Sequence, residues 1–148
     1  MAPLTKDRNT PELMPGSSIS DVAAGAVIYI GAMLMRGSTG NLLPGATATG
    51  LIGVGVAREH VNNTGGLAAE KTALYSAGVF RFVNSTGGDA LTKADIGAVC
   101  YAVDDQTVAA TDGTGTRSPA GCVQSVDDAG VWVRFDETLT ALAVAANA

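Results

Sequence analysis

This 148-residue chain has a single histidine, His60, and two cysteines, Cys100 and Cys122. One imidazole cannot build a His-based metal site, and no Cys-x-x-Cys or His-Glu-x-x-His spacing occurs. Aromatic residues make up only 5% of the chain, with one tryptophan, Trp132, which suits a thin, strand-rich body better than a thick helical core. Nine basic residues face fourteen acidic ones, a net charge of −5, and nucleic-acid binding is not expected without clustered Lys and Arg for phosphates. The uncharged, apolar run Val22–Met35 is short of the ~20 residues that cross a bilayer, and glycines interrupt it. It also lacks the basic flank and small-residue cleavage site of a signal peptide, so neither a membrane nor an export segment is expected.

What is abundant is glycine, nineteen of them, set among Ala and Val in a chain that is 47% hydrophobic. The length fits one domain. Short apolar runs separated by turn residues predict a mainly β fold, a small barrel or sandwich of short strands. The strand candidates are 26–35, 51–58, 72–83, 98–103, 121–126 and 131–135. In the last of these, Val131, Val133 and Phe135 alternate with Trp132 and Arg134. Cys122, Gln124 and Val126 carry the same period before the turn Asp127-Asp128-Ala129-Gly130, which predicts a hairpin. Ile52, Val54 and Val56 are expected on one strand face, with Gly53 and Gly55 leaving the other bare for close backbone approach. Phe80 and Phe82 are expected on one face, opposite Val79, Arg81 and Val83. Thr92-Lys93-Ala94-Asp95 has capping-box spacing for a single turn of helix, and residues 137–148 form either a short helix, a contact arm or a frayed end.

Residues 1–24 read differently from the body, residues 25–136. Pro3, Pro11 and Pro15, followed by Gly16-Ser17-Ser18, leave no window for a regular element, so an extended arm is expected over about the first 21 residues. Its apolar anchors are Leu4, Leu13, Met14 and Ile19. Ordering a backbone residue costs ~1–2 kcal/mol and a buried Leu returns only ~1.5–3 kcal/mol. Such an arm is loose in the free protein and becomes ordered when it docks.

No catalytic constellation emerges, and no enzyme activity, cofactor or metal is expected. Asp104-Asp105 and Asp127-Asp128 fit turns better than a carboxylate pair. The string Gly53-Val54-Gly55-Val56-Ala57-Arg58 lacks the third glycine of a dinucleotide fingerprint. Ser118-Pro119 has no base near it in sequence, and His60 reads as a solvated loop residue. Both cysteines fall inside predicted strands and are expected as free thiols.

Several strings carry a resemblance. They are KDRNTPE at 6–12, PGATATGLIGVGVA at 44–57, GVFRF-x-NS-x-G-x-DA-x-T at 78–92, TDGTGTRS at 111–118, and AG-x-V-x-x-VDD-x-GVWVRF at 120–135. Together they resemble the capsid decoration, or cement, proteins of tailed bacteriophages. The resemblance implies a protein made in the cytoplasm of a bacterial host and carried on the outer surface of the virion head. It implies a homo-oligomer, a trimer above all, bound across neighbouring copies of the major capsid protein. The expected capsid contacts are the arm residues Leu4, Lys6, Arg8, Pro11, Leu13, Met14 and Ile19. Two rival classes share the composition: another virion part such as a tail tube or spike, or a sugar- or cell-binding module using exposed loops and Trp132.

Overall fold

The computed structural model describes residues 2–13 and 16–146. Twelve strands build it: β1 (Ser17–Asp21), β2 (Val27–Ile28), β3 (Met33–Arg36), β4 (Leu42–Pro44), β5 (Ile52–Ala57), β6 (Val61–Asn62), β7 (Thr72–Ser76), β8 (Gly78–Asn84), β9 (Val99–Ala102), β10 (Thr107–Ala109), β11 (Pro119–Asp127) and β12 (Gly130–Phe135). One helix, α1 (Glu137–Ala146), follows them. The mainly β expectation holds, with a barrel as its main body.

Strands β10-β8-β12-β11-β9 close into that barrel, antiparallel except for the β8–β10 pair. A second, five-stranded antiparallel sheet runs β1-β7-β5-β3-β4. A parallel bridge from Val22 to Leu42 links the chain just past β1 to β4, the opposite edge of that sheet. Two apolar clusters result. The larger fills the barrel with Phe82, Cys100, Val108, Val131, Val133 and Phe135 and takes in Met33, Met35 and Val56 from the second sheet. The smaller gathers Val22, Ile28, Leu34, Leu42, Val54, Ala57, Ala73 and Tyr75. Phe80 and Phe82 face the barrel cluster as the alternation requires, while Val79, Arg81 and Val83 face out.

Several expectations are corrected. The arm was expected to hold no regular element, yet Ser17–Asp21 pairs with β7 in register from Ser17↔Ser76 to Asp21↔Thr72. The folded body therefore begins at Ser17 rather than at residue 25, and Val22 is fully buried within it. The single strand expected over 72–83 is two, parted at Ala77, so that the chain leaves one sheet and enters the other. Gly78 takes φ 148° at that corner, a value that favours glycine. The run 26–35 likewise divides into β2 and β3 around a turn in which the Ala32 N–H donates to the Tyr29 carbonyl (3.1 Å).

Bulges explain two further differences. On β5, Leu34 pairs with Gly55 and Met35 with Gly53, which leaves Val54 without a partner between them. This extra residue reverses the side-chain phase, so Val54 joins the smaller cluster and Val56 the barrel cluster, not one shared face. On β11 the register slips between Val123 and Ser125, and Gln124 is exposed. Val123 and Val126, three residues apart, pack with the barrel cluster instead of the expected Cys122-Gln124-Val126 set. The glycine side of β5 does provide close approach: a Cβ on Gly53 would overlap the Ala120 carbonyl of β11.

Candidate functional site

The expected contact residues fall into two groups. Leu4, Lys6, Arg8 and Pro11 are exposed on a segment with no strand or helix, and they are not gathered into a site. Leu13 (74% exposed) and Ile19 (67%) are brought together. With Ser17, Ser18 and Leu74 they line an open cleft of about 380 Å³. Met14 lies outside the described residues.

The local sequence explains the cleft. β1 is polar on the sides that face its own sheet, with Ser18 and Ser20 partly covered, while Ile19 points outward. Ile19 is paired across the strands with Leu74, which also faces outward because Ala73 and Tyr75 are buried. An aliphatic pair thus stands uncovered on the outer wall at the root of the N-terminal segment. Leu74 is the member the sequence reading did not single out; its alternation with Ala73 and Tyr75 is the signal that would have placed it there.

Arg36 holds this region to the rest of the molecule. Its guanidinium donates from Nε to Glu137 Oε2 (3.0 Å), from Nη1 to Ser20 Oγ (2.8 Å) and the Gly40 carbonyl (2.7 Å), and from Nη2 to Tyr75 Oη (2.8 Å). One side chain thereby joins β1, β7, the β3–β4 turn and the first turn of α1. The C-terminal residues 137–146 are therefore a helix laid over β5 and β11 of their own chain, with Thr140 fully buried and Leu139, Leu142 and Val144 left outside. Sequence reasoning did not single out Arg36, whose partners lie up to 101 residues away.

Other polar groups serve the scaffold. The Asp127 carboxylate accepts from the N–H groups of Ala129 (2.8 Å) and Gly130 (3.1 Å) and from Trp132 Nε1 (3.0 Å). The Trp132 bond first, and the turn N–H groups with it, hold the Asp127 carboxyl below its usual range. The Arg81 guanidinium carbon lies 5.8 Å from the Trp132 ring centroid, so the indole N–H and the ring are both engaged by this chain's own residues. Asp89 is likewise lowered, first by the Thr111 hydroxyl and then by Arg117, 3.2 Å away. This pair ties the loop before Ala90 to the loop 111–117.

The Ser118 hydroxyl donates to the Ala48 carbonyl (2.6 Å) and accepts from the Leu51 N–H (3.0 Å), a structural bridge with no free nucleophilic oxygen. Cys100 is buried and its thiol is pushed up to about 12 by desolvation. Cys100 and Cys122 are both free thiols, and pairing Gly121 with Cys100 and Cys122 with Val99 leaves the two out of direct register. His60 is exposed and stands against Tyr29, ring centroids 5.1 Å apart. Among the described residues no group of three or more His, Cys, Asp or Glu side chains is placed to hold a metal ion, and no helix is long and apolar enough to cross a membrane. Compared with known proteins, the chain matches no family model, no curated protein and no solved structure.

Proposed function

We propose that this chain is a capsid decoration protein of a tailed bacteriophage, a stiff body that binds the outside of an assembled head across neighbouring copies of the major capsid protein. The observation that carries the reading is the junction at β1. An exposed segment, residues 2–13, leads into a strand fixed to a two-sheet body, and the apolar trio Leu13, Ile19 and Leu74 stands uncovered at its root. The strings that resemble those of cement proteins support the same reading. Twelve extended residues reach roughly 40 Å, enough to touch a subunit beyond the one under the body.

Weak contacts of this kind sum when they are tethered. Once the body is seated, the segment binds at a high effective concentration, so modest burial of Leu4, Leu13 and Ile19 adds retention without a large interface. A protein that binds only the closed lattice also shifts the lattice toward closure. A small cyclic oligomer, a trimer by preference, would multiply both effects at a local symmetry axis.

The test is direct. Purified protein is mixed with undecorated, expanded heads built from the capsid protein of the same genome, and the particles are sedimented. The expected result is saturable co-sedimentation and a higher rupture temperature for the decorated heads. Failure to sediment with such heads overturns the proposal.

A further inference from the structure

A second cleft, of about 290 Å³, lies where the β2–β3 turn of one layer meets the β9–β10 turn of the other. It has no part in the capsid reading above. Tyr29, Ile30, Asp105 and Gln106 line it, with the backbone of Gly31 and Ala32 between them. Its volume is at the lower end of small-molecule sites, which start near ~300 Å³.

Both walls are fixed while their side chains are free. The Asp105 carbonyl accepts from the Met33 N–H (2.8 Å), and the Gln106 carbonyl accepts from the Val83 N–H (2.8 Å). The Gln106 N–H donates to Asp104 Oδ1 (2.9 Å), and the Gly31 N–H donates to the Ala57 carbonyl (3.0 Å). Among the described residues, the Asp105 carboxylate, the Gln106 amide and the Tyr29 hydroxyl have no hydrogen-bond partner. Tyr29 is 61% exposed and Ile30 69%, positions where bulky apolar groups contribute nothing to either core. His60 braces the Tyr29 ring.

From this arrangement we infer that the cleft is a binding site for a neutral pyranose sugar. The negative face of a tyrosine ring attracts the C–H face of a sugar, and Ile30 adds aliphatic contact. Around that plate the free groups are mixed: a carboxylate that only accepts, an amide that donates and accepts, and a phenol that does either. Neighbouring sugar hydroxyls need that mixture. An ammonium ligand needs acceptors alone and leaves the Gln106 donors unpaired. Among the described residues no cation lines the cleft to offset Asp105, so a uronic or sialic acid would meet an uncompensated like charge. Pre-set backbone on both walls lowers the ordering cost that otherwise defeats so small a ligand.

The experiment is amide NMR on the full-length protein, titrated into the millimolar range with the methyl α-glycosides of glucose, galactose and mannose. Parallel titrations use glucuronate, sialic acid and N-acetyl-lysine amide. The expected result is saturable shifts at Gly31, Ala32 and Gln106 with at least one neutral glycoside. Tyr29→Ala should weaken that binding about tenfold and Asp105→Asn severalfold, with the amide spectrum of the body otherwise kept. Shifts with the acidic sugars or the amine alone overturn the inference, as does the absence of saturable shifts with all three neutral glycosides. Capsid binding is read separately, so either proposal can fail without the other.

Discussion

The guanidinium of Arg36 and the carboxylate of Glu137 meet at 3.0 Å, and through them the second sheet holds the first turn of α1. The arginine side chain is 21% exposed and the glutamate 40%, and the arginine alone carries three further hydrogen bonds, so the two are not equivalent. Arg36→Met removes four side-chain contacts and leaves Tyr75 Oη, Ser20 Oγ and the Gly40 carbonyl without their donor. We expect a loss of about 2–3 kcal/mol in urea unfolding, against less than ~1 kcal/mol for Glu137→Gln.

Thr140 offers a gain. It is fully buried in α1, and among the described residues its hydroxyl has no partner. Thr140→Val keeps the shape and removes an unsatisfied polar atom, so the urea midpoint should rise, by about 0.5–1.5 kcal/mol of stability. A lower midpoint would mean that the hydroxyl is bonded in solution.

At Gly53, any side chain collides with the Ala120 carbonyl across the contact between the two sheets. Backbone cannot yield as a flexible side-chain end can. Gly53→Ala should cost more than ~3 kcal/mol or prevent folding, whereas Gly88→Ala, with open space around its Cβ, should stay within about 0.5 kcal/mol of the parent. Circular dichroism melts of the two variants separate these outcomes.

Acid should weaken the fold through Asp127 and Asp89. Both carboxyls are held below the ordinary value of 3.8, so each favours the folded state above that value. The contribution disappears as pH falls from 3.8 through the lower folded-state value. Asp127→Asn should therefore lose less stability than the parent between pH 5 and pH 3, measured by urea unfolding at each pH. The parent's Trp132 emission should shift over the same acid range, because its N–H partner is being protonated.

For the N-terminal segment, the boundary matters. Deleting residues 2–13 should leave the melting temperature almost unchanged while weakening head retention. A deletion that runs through Ser18 removes two of the five residues of β1 and confounds binding with folding. Ile19→Ser with Leu74→Ser is the complementary variant: a folded body whose retention on heads falls with the segment intact.

Much of the barrel was legible because its pattern is local. The β11–β12 hairpin follows from the Asp127–Gly130 turn and the Val131-Val133-Phe135 alternation, and the Thr92 capping box appears as read, over one turn of 3-10 helix. β1 was not legible, since Ser-Ser-Ile-Ser-Asp has weak strand preference and is a strand through its pairing with β7, more than fifty residues on. Val54 and Val56 misled for a related reason: a bulge is decided by the partner strand, and period two cannot reveal it. In the candidate site, Leu13 and Ile19 could be named from their apolar character, but Leu74 and the Tyr29–Asp105 cleft arise from contacts between distant turns.

The corner at Ala77–Gly78 has a consequence for how the molecule comes apart. One uninterrupted ribbon is zipped to β1 and β5 on one side of that corner and to β10 and β12 on the other. Melting either layer drags on the strand that stitches the other, so the two lose their structure as one event. The chain is then either whole or fully unravelled, with no half-open form to expose sticky strand edges.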